Sequence, residues 1–353
     1  MKIILVEVSK VALELKKPFV TALRRVTHVN DIYVKITTDT GLIGYGEAAP
    51  TTAITGDSEG SILYAIENVI APSIMDMSLE SYELILQKIQ KCMKKNTSAK
   101  AAVDIAIYDL VAKKHGVPLY KFLGGAKSKI ETDLTISLNS VEQMVADSVE
   151  AVSLGYKMLK IKVGNEYQKD ILRIVEIQKA VGMDVLLRID ANQGWSLKEG
   201  TFILEELKKY PLNIELIEQP LVAEDITGMA KLCERTIYPI LADEAIFTPL
   251  DVIEVIQKGA ADLINIKLMK CGGIYPALQI CAIAESYGVE CFMGCMLESH
   301  VSVTAAAHLA AAKSIITRYD LDGPGLLKSQ PLAGGATFNE QEIILNETPG
   351  LGF

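Results

Sequence analysis

Leu159-Lys160-Ile161-Lys162-Val163 alternates apolar and basic residues with a period of two. In a β-strand that period sends both lysines to one face and the three aliphatic side chains to the other. The apolar face must be covered by helices, and buried charge on the opposite face needs a partner or a metal. Both lysines therefore point into the interior of a closed sheet. Working outward, the same alternation places Arg188, Asp190 and Asn192 on one face, and Asn265 and Lys267 on another. Lys162, Asp190, Glu218, Asp243 and Lys267 follow one another at intervals of 28, 28, 25 and 24 residues. Each interval is one strand-helix unit, so the five side chains come from strands two to six at equivalent heights. They form part of the C-terminal rim, where barrel enzymes carry their chemistry. One acidic residue after a strand is ordinarily a helix cap or a solvated turn. Five charges in register across five consecutive units are not.

The rest of the chain fits that frame. Strands are predicted at Glu131–Leu138, Lys157–Val163, Asp184–Asp190, Ile214–Glu218, Ile240–Asp243, Asp262–Lys267, Glu290–Met293 and Ile315–Asp320, with helical patterns between them. The even spacing favours a parallel barrel over a doubly wound open sheet. The first ~125 residues read as α+β. Strand runs lie at Lys2–Val11, Asp31–Thr38 and Leu42–Glu47, the last two joined by the turn Asp39-Thr40-Gly41. Helices are predicted at Ser58–Ile74, Glu80–Lys94 and Ser98–Lys114, the last stopped by Gly116 and Pro118. The fold class is α/β: a modified (β/α)7β TIM barrel with an N-terminal α+β capping domain. The expected division is 1–124 for the cap and 125–322 for the barrel, with 323–353 returning to the cap.

Composition narrows the function classes. Of 353 residues, 50% are hydrophobic and 22% charged, the balance of an ordinary globular enzyme. A net charge of −9 disfavours nucleic acid and anionic membranes as partners. No apolar run approaches the ~18 residues that span a bilayer, and the first eight residues make a poor secretory signal. Six cysteines without a CxxC spacing read as reduced packing thiols in the cytoplasm. A homo-oligomer with a small-molecule substrate is expected.

Asp190, Glu218 and Asp243 would repel one another without a cation. A ligand set made only of carboxylate oxygens points to Mg²⁺, with Mn²⁺ as a substitute. Zinc is disfavoured, because none of the four histidines lies at a strand end beside these ligands. His300 and His308 fall on a predicted helix, where packing is their expected role.

These motifs resemble a known family. Lys160-x-Lys162, Asp190-Ala191-Asn192, Glu218-Gln219-Pro220, Asp243-Glu244, and Lys267 followed by Gly272-Gly273-Ile274 are similar to the muconate-lactonizing subgroup of the enolase superfamily. The resemblance covers essentially the whole chain. It implies an isomerase in which a lysine base and Mg²⁺ act on an enediolate, a chemistry that belongs to the family and that spacing alone does not yield. Within the subgroup, Asp320-Leu321-Asp322 resembles the dipeptide epimerases, as do Arg24 and the stretch Ile54-Thr55-Gly56-Asp57. That implies 1,1-proton transfer at the C-terminal residue of a dipeptide, L-Ala-L-Glu to L-Ala-D-Glu, in murein peptide metabolism. The rim from Gly294 to His300 departs from the usual pattern and leaves side-chain specificity open.

Roles follow. Strands two and six are diametrically opposed in an eight-stranded barrel, so Lys162 and Lys267 are expected to face each other as acid and base. An ordinary lysine pKa of about 10.4 must then fall, through Lys160 or Mg²⁺. Lys160 is expected to support the substrate carboxylate or to tune Lys162; its plainer role is counter-ion to Asp190 or Glu218. Asp320 and Asp322 would meet the substrate ammonium, and Arg24 its glutamate side chain. Thr135 is a candidate donor, and Cys295 is expected to contribute backbone contacts. Asn192 and Glu244 are expected to orient the metal ligands. The competing functions are an epimerase of hydrophobic dipeptides, a muconate cycloisomerase, o-succinylbenzoate synthase or N-succinylamino-acid racemase, and, from another class, a non-catalytic binding module.

Overall fold

The computed structural model covers residues 1–353. The chain opens with an antiparallel sheet of β1 (Ile3–Val20), β2 (Arg25–Thr38) and β3 (Ile43–Ala48), in the order β1-β2-β3. Pairing of β1 with β2 runs further than the sequence pattern predicts, out to Val20 opposite Arg25, with an irregular register between Glu14 and Phe19. In this extended arm Leu13 and Leu15 are buried while Glu14, Lys16, Lys17 and Pro18 are exposed, which hides the strand from an alternation count. The arm has its own small apolar cluster, in which Leu13, Leu15 and Val29 meet Leu297 and Leu327 of the barrel rim.

Helices back this sheet. The single helix expected over Ser58–Ile74 contains a π-turn at Ile66–Ile70 between α1 (Glu59–Ala65) and α2 (Ala71–Ile74). After α3 (Tyr82–Lys91), α4 (Thr97–Lys114) is buried on every face from Ser98 to Ala112. Close approach explains why β3 carries glycines. A Cβ on Gly46 would lie 1.9 Å from the carbonyl oxygen of Ala102 in α4. Asn96 makes no side-chain cap for α4; Asp57 replaces it, accepting from the Ser98 amide at 3.0 Å.

After α5 (Leu119–Phe122) comes a difference from the predicted strand Glu131–Leu138. Two short strands stand there, β4 (Lys129–Glu131) and β5 (Leu134–Ile136). Only β5 belongs to the barrel. It is followed in order by β6 (Met158–Lys162), β7 (Leu186–Asp190), β8 (Ile214–Glu218), β9 (Ile240–Ala242), β10 (Leu263–Ile266), β11 (Glu290–Gly294) and β12 (Ile316–Asp320). These eight strands form one sheet in strict sequence order, with parallel pairings throughout. The barrel closes between β12 and β5 through contacts at their ends: the Leu321 amide donates to Thr132 Oγ1 and the Thr135 amide to Asp322, each at 2.7 Å, and the Asp133 amide to the Tyr319 carbonyl at 3.4 Å.

Connecting helices are α6 (Val141–Ser153), α7 (Tyr167–Val181), α8 (Leu197–Leu207), α9 (Ile226–Cys233), α10 (Pro249–Gln257), α11 (Leu268–Cys271), α12 (Ile274–Tyr287) and α13 (His300–Ala312). Several begin at side-chain caps readable in the sequence: Ser140, and the reciprocal boxes Ser196/Glu199 and Thr248/Asp251. The short α14 (Gly323–Leu326) leads into the tail. There β13 (Thr337–Asn339) pairs with β14 (Glu342–Ile344), and β14 with β4. The last residues reach the first sheet and α4: the Leu351 amide donates to Asp109 at 2.7 Å, and the Phe353 ring lies edge-on to Tyr45 at 6.3 Å. No helix is long and apolar enough to cross a membrane.

Candidate active site at the C-terminal rim

Lys162, Asp190, Glu218 and Asp320 are the last residues of β6, β7, β8 and β12, while Asp243 and Lys267 directly follow β9 and β10. Each is less than a tenth exposed. The rim therefore gathers the five charges that the spacing predicts. β6 and β10 stand four places apart in the order of eight, so Lys162 and Lys267 lie on opposite walls.

One narrow cavity of about 60 Å³ is lined by Arg24, Thr135, Lys160, Lys162, Asp243, Lys267, Cys295, Asp320 and Asp322. Asn192 and Glu244 line it too, with Asn192 donating to Glu244 at 3.3 Å. Asp190 and Glu218 lie beneath this lining, fully buried. Lys160 covers them. Its ammonium is 3.1 Å from Asp190, 2.7 Å from Glu218 and 2.7 Å from Asp320. The counter-ion role thus holds for both expected partners, and Asp320 is a third that the sequence did not indicate. Lys162 donates to Asp190 at 2.5 Å and Lys267 to Asp243 at 2.8 Å.

As they stand, no three acidic, histidine or cysteine side chains converge closely enough to coordinate one ion. Lysine ammoniums hold the carboxylates instead. The donors nevertheless suit a hard divalent cation. Glu218 Oε2 and Asp243 Oδ1 are buried oxygens without a hydrogen bond, although each lies near a lysine ammonium, at 2.7 Å (Lys160) and 2.5 Å (Lys270) respectively. The Asn192, Glu244 and Asn265 side chains add further buried oxygens without a hydrogen bond. An all-oxygen set with unmet acceptor capacity is what Mg²⁺ requires.

The electrostatics follow from burial and crowding. Burial and the adjacent Asp190 push the Glu218 carboxyl up to about 7, and burial with Asp243 pushes Glu244 up to about 8. Burial would raise Asp243 also, but Lys267 and Lys270 outweigh it and hold that carboxyl below its usual range. With no metal cation on Asp243, Lys267 is not depressed. Burial acts to lower its pKa, but Asp243 pulls harder and the net shift is upward. Lys160 is raised in the same way, chiefly by Asp320 against the effect of burial.

The remaining sequence candidates fall as follows. Asp322 accepts from the Thr135 amide at 2.7 Å, so the Thr135 main chain is committed to that carboxylate. Burial and Asp320 raise Asp322 to about 6. Burial drives the Cys295 thiol well above its ordinary pKa, as expected of a group that offers no thiolate. Arg24 is half-buried in the loop between β1 and β2 and lines the cavity, while Arg25 is exposed. His308 packs on α13, its Nδ1 accepting from the Tyr120 amide at 2.9 Å, and His300 Nε2 contacts the Leu332 carbonyl at 2.6 Å.

Sequence reasoning missed Lys270. Its ammonium is 1% exposed, contacts the Asp243 main chain and carboxylate, and donates to the Asn265 carbonyl at 3.2 Å. The signal was present as a second lysine three residues after Lys267, on one face of α11. Also missed was Gly294 at the end of β11. A Cβ there would meet Lys267 Cε at 2.9 Å, so the glycine leaves room for that lysine.

Known proteins share this arrangement. Residues 3–124 match the family model for the mandelate racemase / muconate lactonizing enzyme N-terminal domain, and 143–353 match the enolase C-terminal domain-like model. An L-Ala-D/L-Glu epimerase of Clostridium acetobutylicum is 54% identical, over 98% of this chain and 96% of its own. The substrate-liganded L-Ala-D/L-Glu epimerase of Bacillus subtilis superposes with a TM-score of 0.98 at 49% identity, covering 100% of this chain and 98% of that one. A dipeptide epimerase of Enterococcus faecalis, complexed with Mg and L-Leu-L-Tyr, gives a TM-score of 0.97 at 41% identity, covering 100% and 99%. With both of its parts matched by family models, this chain belongs to the mandelate racemase / muconate lactonizing enzyme family of the enolase superfamily.

Proposed function

We propose that the protein is a Mg²⁺-dependent dipeptide epimerase that inverts the α-carbon of the C-terminal residue, converting L-Ala-L-Glu to L-Ala-D-Glu. The observation that carries this reading is the pair of buried lysines on opposite walls of a cavity that also holds Asp320 and Asp322. Inversion needs one group to take a proton from one face of the α-carbon and another to deliver one to the opposite face. Lys162 and Lys267 are the two groups. Asp320 and Asp322 receive the dipeptide ammonium, with the Thr135 amide holding Asp322 in place. Lys160 keeps Asp190, Glu218 and Asp320 within reach of one another, and main-chain groups at Cys295 border the substrate.

Asp190, Glu218 and Asp243 are the residues that would hold Mg²⁺, which when bound supplies positive charge opposite the substrate carboxylate. Together with the lysines, that charge favours the more negative intermediate over the substrate. Asn192 and Glu244 orient the ligands. We also propose that the chain divides at residues 124 and 322, and that it acts as a cytoplasmic homo-oligomer in murein peptide metabolism. Six unpaired cysteines support the cytoplasmic placement, and the epimerase relatives support the metabolic role.

The test is incubation with L-Ala-L-Glu in D₂O, followed by NMR. Loss of the glutamate α-proton with appearance of L-Ala-D-Glu is expected with Mg²⁺ and not in excess chelator. Full activity in chelator would overturn the metal assignment. No exchange on any dipeptide, with turnover of an N-succinylamino acid or formation of o-succinylbenzoate, would overturn the function.

A second reading, preference for a hydrophobic dipeptide, is favoured by Leu23, Ile54, Met296 and Leu297 in the cavity wall. Arg24 separates the two. A charge-assisted contact to a glutamate carboxylate contributes roughly 1.5–3 kcal/mol, or about ten- to hundredfold in kcat/KM. Arg24→Met is therefore expected to depress turnover of L-Ala-L-Glu by that factor and to spare L-Ala-L-Leu. Equal losses on both substrates would move specificity to the rim from Cys295 to His300.

A further inference from the structure

Ile54 lines the catalytic cavity on one side and a second, larger cavity of about 800 Å³ on the other. This second cavity lies between the N-terminal helices and the barrel, at the kind of interface where ligand pockets concentrate. The end of α3 and the start of α4 form one wall; Phe247, Pro249 and α12 form the other.

Its charge is one-sided. Lys91, Lys95 and Lys100 line it, and no aspartate or glutamate does, in a chain whose net charge is −9. Further along α4, Lys113 and Lys114 pair with Asp109 and Glu80, whereas the three lining lysines form no ion pair. Lys100 is the most telling. It is 6% exposed, and its ammonium donates only to two carbonyl oxygens, of Gln90 at 3.0 Å and Met93 at 2.7 Å. An ammonium has three donors, so one remains. Asp57, the carboxylate that acts on Lys100 from outside the cavity, is engaged with the Ser98 amide. A buried cation without a counter-ion is costly, and an anion entering the cavity removes that cost. Gln87, Gln279, Thr97 and Thr248 supply neutral polar groups around it.

We propose that this cavity is a binding site for a small molecule carrying two or more oxyanion charges, as carboxylates or phosphates. Its volume falls within the range of ligand pockets, ~300–1,000 Å³. The proposal does not rest on the reaction assigned above.

Calorimetric titration of the full chain in metal-free buffer tests it, with tricarballylate as the tricarboxylate probe and pyrophosphate as the phosphate probe. Binding of at least one probe with Kd below ~1 mM is expected, and the tighter of the two identifies the source chemistry. Lys91→Gln/Lys95→Asn is expected to weaken it by about tenfold, a loss of ~1.4 kcal/mol. Both positions are exposed, and asparagine tolerates the left-handed backbone of Lys95, with φ of 54°. No binding of either probe to the wild type would overturn the proposal. So would equal binding by the variant, which would assign the anion to the lysines of the catalytic cavity.

Discussion

Lys162→Ala and Lys267→Ala should each abolish net epimerisation of L-Ala-L-Glu, with kcat lowered by ~10²–10⁴ or more, the contribution of a positioned proton-transfer group. The two losses are expected to differ in kind. Each variant keeps one lysine, so in D₂O each should still exchange the α-proton of one epimer only, and the exchanging epimer should be opposite in the two proteins. That split follows from the walls on which the lysines stand, and a purely structural role would not produce it. Folding is not the issue at either position. Lys160 still neutralises Asp190 without Lys162, at 3.1 Å, and Lys270 still neutralises Asp243 without Lys267, at 2.5 Å. A variant that still interconverts both epimers would remove its lysine from the mechanism, and loss of exchange on both epimers in both variants would mean that the lysines act as one unit.

The catalytic arc is legible because a barrel repeats. A charge that ends one strand recurs one unit later at the same height, so spacing alone brings Lys162, Asp190, Glu218, Asp243 and Lys267 together. What spacing cannot supply is the contact made across the pore. Lys160 bonds Asp320 at 2.7 Å over a sequence separation of 160 residues, and no local pattern encodes that pair. The upward shift of Lys267 is hidden for the same reason. Desolvation and attraction oppose each other there, and their balance depends on the distance to Asp243.

The β1–β2 arm illustrates a different limit. A strand is visible when one face is buried, and between Glu14 and Pro18 only Leu15 is. The arm is held by its contacts with the rim instead. Lys17 pairs with Asp147 at 3.0 Å and Glu150 at 2.7 Å on α6, and Lys328 pairs with Glu14 at 2.6 Å. Exposed pairs of this kind each contribute ~0–1 kcal/mol. The apolar cluster of Leu13, Leu15, Val29, Leu297 and Leu327 adds more, as do two main-chain bonds: the Lys328 amide donates to the Glu14 carbonyl and the Leu138 amide to the Val20 carbonyl, each at 2.9 Å. The arm that leads to Arg24 is thus tied to the rest of the chain mainly at the barrel rim.

Arg188→Met should cause the largest loss of stability, ~3–5 kcal/mol by chemical denaturation, which is the cost of breaking a buried ion pair by removing one partner. By the alternation of β7 the side chain points inward one layer below Asp190, at the floor of the site. It is 2% exposed. Its guanidinium donates to Asp133 at 2.8 Å, to Glu215 at 2.6 Å and to the Tyr319 carbonyl at 2.8 Å, and lies 4.9 Å from the centroid of Phe292. Glu215 has a second cation in Arg318, at 2.7 Å, and can keep its charge. Asp133 has no other cationic partner within ion-pair distance; burial and Asp320 already raise its carboxyl, so without Arg188 it must take up a proton or stand as an unpaired buried charge. Most of the loss should therefore come from that one carboxylate, and Arg188→Met/Asp133→Asn should recover a measurable part of it. Activity per folded molecule should fall far less than in the lysine variants, because neither side chain lines the catalytic cavity. A loss below ~1 kcal/mol, or a double variant no more stable than the single one, would mean that the floor is held by its apolar layer of Leu216, Leu241, Leu263 and Phe292 rather than by charge.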